Sequence, residues 1–215
     1  MSQVAISGNA SGTGTLTIAA PNTNSNYTLT LPSATTTFVG TDATQTLTNK
    51  TIQGGAITSG TAVASTSGTS IDFTGLPSWI KKITVMFSGV STSGTSYVQV
   101  QLGTGATTYT TSGYDSRIFC WTGGSQGSTA TSGILIDGAN SATATASRIG
   151  SIQITNLTGN TWVANGVVSP VSLNGATNML AGNIALGAVL TAVRITTVNG
   201  TDTFDAGTIN ILYEG

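Results

Sequence analysis

Short segments in which single large apolar residues alternate with threonine, serine, asparagine or glutamine recur along the chain, and they constrain its fold more than any other feature. Thr15-Leu16-Thr17-Ile18, Tyr27-Thr28-Leu29-Thr30-Leu31, Ile83-Thr84-Val85-Met86-Phe87, Ser151-Ile152-Gln153-Ile154-Thr155, Val193-Arg194-Ile195-Thr196 and Ile209-Asn210-Ile211-Leu212-Tyr213 are of this kind. A period of two sends alternate side chains to opposite faces of a strand, and the branched Cβ of threonine suits extended backbone. In Tyr97-Val98-Gln99-Val100-Gln101-Leu102 the same rule turns Val98, Val100 and Leu102 inward and both glutamines outward. Arg117 to Trp121 reads as a short aromatic strand, and Ile134-Leu135-Ile136 as a central, fully buried one. Clusters such as Gly123-Gly124-Ser125 and Asn199-Gly200 separate them; the latter reads as a hairpin turn, since both residues tolerate positive φ. Residues 179–193 form the one helix candidate, but Gly182 and Gly187 favour a strand and a loop. About eight to ten strands with regular turns predict an all-β fold, with an antiparallel β-sandwich or jelly roll over residues 70–215.

The leading residues differ. In 1–69 each alternating segment offers only two or three large apolar side chains, chiefly Leu16, Ile18, Tyr27, Leu29 and Leu31. Ordering backbone costs about 1–2 kcal/mol per residue, more than so little burial offsets. These residues are therefore expected to form an extended, Thr-rich arm that is ordered by packing on other copies or on a host structure; a flexible Thr/Ser/Gly linker is the competing reading. The small-residue stretch from Gly60 to Gly68 reads as a hinge or edge strand, which puts the domain boundary near 69/70.

Composition narrows the function. Charged residues make up 6% of the 215, against about 25% in an ordinary soluble domain. There is no histidine, so no imidazole base, catalytic triad or His metal site; the single cysteine, Cys120, forms no intrachain disulfide or zinc cluster and reads as a small buried hydrophobe. A net charge of −1 gives no basic footprint for nucleic acid. The start of the chain lacks the basic and apolar regions of a signal peptide, and the apolar run from Ile184 to Val193 is short of the roughly 20 residues of a membrane span, so no membrane insertion is expected. The 7 carboxylates include no marked pair: Asp202 and Asp205 read as turn residues, and Asp115, Asp137 and Glu214 are isolated. No cofactor, metal or catalytic activity is expected. Tyr109, Tyr114 and Trp121 flank the polar stretch 103–113, and Trp79 and Trp162 lie beside strands. Rings among hydroxyls and amides suit a sugar, which makes Tyr109 and Tyr114 candidate glycan or receptor contacts; core or interface packing is the competing role.

Two stretches carry a family resemblance. Thr41-Asp42-Ala43-Thr44-Gln45-Thr46-Leu47-Thr48-Asn49-Lys50-Thr51-Ile52, preceded by Tyr27-Thr28-Leu29-Thr30-Leu31-Pro32 and Phe38-Val39-Gly40, resembles a Thr-Leu-Thr-Asn-Lys-Thr segment of tailed-bacteriophage fibre proteins. Residues 71–87, from Ile71-Asp72-Phe73 to Val85-Met86-Phe87, are similar to the opening of a β domain in phage and prophage structural proteins. The resemblance implies a homotrimer located in the virion, with residues 1–69 attaching to other virion proteins. It also implies a distal β domain facing outward; if the chain is an adhesin, loops such as 103–113 and 122–132 are expected to touch a host surface glycan or protein. A tail fibre or adhesin is one expectation; a head fibre or capsid decoration protein is the other. No catalytic residues follow from it.

Overall fold

The computed structural model describes residues 11–14, 22–26, 28, 57–122, 124–171 and 175–215. The chain divides into two compact units, 1–51 and 52–215. Leu16, Ile18, Tyr27, Leu29 and Leu31, the residues expected to anchor the arm, lie outside the described residues.

The second unit is all-β. Its strands are β1 (Ile57–Ser59), β2 (Val63–Ala64), β3 (Ser70–Thr74), β4 (Lys82–Thr92), β5 (Val98–Gly103), β6 (Asp115–Thr122), β7 (Gly124–Ala130), β8 (Ile134–Leu135), β9 (Arg148–Thr158), β10 (Thr161–Pro170), β11 (Thr177–Ala185), β12 (Ala192–Thr197) and β13 (Phe204–Glu214). They form two antiparallel sheets, one of nine strands ordered β1-β13-β4-β9-β10-β11-β6-β7 with β2 also on β13, the other of four ordered β3-β12-β5-β8. Among the described residues there is no helix, and 179–193 is strand followed by loop.

The alternating segments explain the layering. Ile83, Val85 and Phe87 of β4, Ile152 and Ile154 of β9, and Ile209 and Ile211 of β13 turn inward from the large sheet. Ile71, Phe73, Val98, Val100, Leu102, Val193 and Ile195 turn inward from the small one, and all belong to one buried cluster. The architecture is sandwich-like, with a core one side chain deep from each sheet. Inside it lies a fully buried ion pair between Asp137 and Arg148. Asp137 accepts the Val98 N–H at 2.7 Å, and Arg148 donates to the carbonyls of Ala146 and Val90. The pair ties the loop after β8 to β4, β5 and β9, at the desolvation cost that buried charges carry.

Three sequence expectations need correction. Residues 57–64 belong to the β unit, because β1 and β2 pair along the edge of β13; the boundary therefore falls before them and not at 69/70. The Asn199-Gly200 turn joins strands of different sheets, so it is a crossover and not a hairpin. Only Gly200 takes positive φ there, while the Asn199 side-chain carbonyl accepts the Thr201 and Asp202 N–H groups. Gln99 and Gln101 do point away from the core, yet both are buried under the segment after β7: Ser132 Oγ donates to Gln99 Oε1 at 2.8 Å, and Gln101 Nε2 donates to the Ser132 carbonyl.

Candidate functional site

The outer side of the four-stranded sheet carries a polar cluster built by strand register. In register across three strands lie Asp72 of β3, Arg194 of β12 and Gln101 of β5. Arg194 Nε and Nη2 donate to the two Asp72 carboxylate oxygens at 2.8 and 2.7 Å, a bidentate pair about one third exposed. Tyr109 bridges back to Gly103 at the end of β5, and the Arg194 guanidinium lies 4.0 Å from its ring centroid. The cation sits against the negative face of the ring while its donors hold the carboxylate. Partial burial raises the Tyr109 phenol above its usual value; the Asp72 charge adds to this and the Arg194 charge opposes it. Tyr109 is half-buried, so part of its ring meets solvent beside an ion pair whose geometry is fixed.

Tyr114, the other aromatic singled out for glycan contact, is 2% exposed. Its hydroxyl accepts the Leu102 N–H at 2.7 Å, and burial pushes its phenol up to about 12. The reason is local. The partner strand β8 pairs with β5 only at Gln99 and Val100, so the Leu102 N–H has no strand neighbour on that side and the phenol supplies the acceptor. Tyr114 is thus a core residue and presents nothing to a ligand. Of the two candidate residues, the structure leaves Tyr109 at the surface and adds Asp72 and Arg194. Neither addition was legible beforehand, because the two lie 122 residues apart and only the strand register brings them together. The one available signal was an arginine between two inward-facing residues, Val193 and Ile195.

Other polar groups have local roles. Asp202 accepts from Ser96 N–H and from the Asn199 amide, and Asp205 from the Ser91 hydroxyl, all within turns and strand ends. Cys120 is buried and unpaired, and burial raises its thiol. Of the stretch 122–132 expected as a contact loop, residues 124–130 are strand β7. Among the described residues no group of three or more His, Cys, Asp or Glu is placed to hold a metal ion.

The opposite surface, the outer side of the nine-stranded sheet, has a different character. Ile57, Trp121, Ile149, Val163, Val167 and Met179 stand on it between 37% and 63% exposed. A shallow groove of about 480 Å³ borders it, lined by Ile57, Lys81, Lys82, Thr155, Asn156 and Glu214.

Comparison of the chain with family models, with curated proteins and with solved structures yields no match.

Proposed function

We propose that this chain is a virion fibre protein of a tailed bacteriophage, a homotrimer whose leading residues dock on other virion proteins and whose β domain contacts the host surface. The observation that carries the reading is the contrast between the two outer faces of the β domain. One is apolar and suits burial within an assembly; the other carries the Tyr109–Arg194–Asp72 cluster, which suits a hydroxyl-rich partner in water. A sugar ring would lie along the open part of Tyr109 and exchange hydrogen bonds with the carboxylate and the guanidinium. Recognition is then a matter of contact alone, with no bond made or broken and no cofactor. The segment resemblance of residues 41–52 and 71–87 to phage fibre proteins supports the same reading.

A purely structural role, as a head fibre or capsid decoration protein, is the second reading. The burial of Tyr114 favours it, because it leaves one partly covered aromatic where two were expected. Binding of the purified protein to cells of the phage's host separates the two. An adhesin binds, and Tyr109→Ala weakens binding about tenfold or more, as loss of an aromatic anchor does. Absence of binding, with the chain found on the capsid in a virion reconstruction, would replace the first reading by the second.

A further inference from the structure

We infer that the outer face of the nine-stranded sheet is the surface through which the β domain packs on further copies of the same chain. The inference rests on the assembly part of the proposed function and specifies where the copies meet. Register places the side chains concerned. Phe119 pairs with Met179, Met179 with Val167, Val167 with Ser151, and Ser151 with Met86, forming one row across β6, β11, β10, β9 and β4. Each alternates with an inward residue: Cys120, Leu180, Val168, Ile152 and Val85 are all buried. Val167 and Met179 are each 50% exposed, and Ile149 and Trp121 extend the apolar surface along one side of the row. Six of the eleven exposed large apolar side chains of the described residues stand on this face.

Charge identifies the occupant. The central strands β9, β10 and β11 put no charged residue outward; their one charged side chain, Arg148, is buried. Charges appear at the margins, where Asp115 pairs with Arg117 on β6 and Lys82 with Glu214 on β4 and β13, while Asp205 near the start of β13 accepts the Ser91 hydroxyl. Near a symmetry axis each residue meets its own copy, so a charge there would face a like charge. A charge-free centre, with the margin charges of β6 and of the β4–β13 end neutralised within the chain, tolerates that arrangement, whereas a partner of opposite charge would gain nothing from it. The size also fits. Six long strands spaced about 4.8 Å apart and about 30 Å long present roughly 700 Å², close to the roughly 800 Å² per partner of a standard interface.

The test uses the full chain carrying Cys120→Ala, into which Val167→Cys, Val163→Cys or, as a control, Val198→Cys is introduced. Val198 is 45% exposed but lies in the crossover after β12, away from this face. Light scattering gives the assembly state, and mild oxidation gives the rate of disulfide formation between copies. We expect an oligomer in which Val167→Cys or Val163→Cys cross-links about a hundredfold faster than Val198→Cys, since effective concentrations within an assembly reach the millimolar range. An oligomer in which all three positions cross-link equally slowly would overturn the choice of face and leave the assembly standing. A monomer would overturn both.

Discussion

Above pH 10 the phenols of an unfolded chain ionise, whereas Tyr114, raised to about 12 by burial, keeps its proton. Between those values the folded state binds the extra proton, so stability falls as pH rises through this window and is fully present below it. Two units correspond to about 2–3 kcal/mol. Denaturant midpoints measured from neutral pH to about pH 12 should show this decline, and Tyr114→Phe should flatten it. The same substitution strands the Leu102 N–H and should cost about 1–3 kcal/mol at neutral pH. Tyr114 also shows why single residues were hard to read. Its neighbours Gly113 and Asp115 suggest a surface loop, while its role is set by a strand-edge donor twelve positions away.

Strands with strong alternation were legible: β4, β5, β9, β12 and β13 each contain a segment whose apolar residues face the core. Others were not, for physical reasons. β7, Gly-Ser-Gln-Gly-Ser-Thr-Ala, has no large apolar residue and is a strand because β6 offers it an edge. In β10 the inward positions are Trp162, Ala164, Gly166 and Val168, and small residues blur the period. Irregularities were equally hidden. The β13–β4 register shifts between Ala206 and Thr208, and Gly207 lies there at φ 96°. A Cβ on Gly207 would come within 2.5 Å of the Gly89 backbone, so steric closeness and φ both exclude a side chain. Gly207→Ala should therefore destabilise the domain by about 1–3 kcal/mol or more, seen as a lowered thermal midpoint. An unchanged midpoint would mean that the bulge relaxes freely.

At the scale of the molecule, sequence reasoning reached an all-β chain with antiparallel sheets, and the described strands agree. The pairing of the strands was beyond it, since β4 and β13, neighbours in one sheet, lie far apart in the chain. The candidate site shared that difficulty: one tyrosine was legible, and its ionic partners depended on register. The reading of residues 1–69 as the virion attachment leads to a separate expectation. Deleting residues 1–40 should leave the β domain folded by circular dichroism and stop its incorporation into particles. Normal incorporation would show that another part of the chain is the anchor.

Among the described residues the short strands β1 and β2 have β13 as their only strand neighbour. Because β13 follows them by well over a hundred positions, β1 and β2 find their place only once that strand has been synthesised. A product cut short before β13, however much of its sheet has formed, offers these two strands no edge on which to pair.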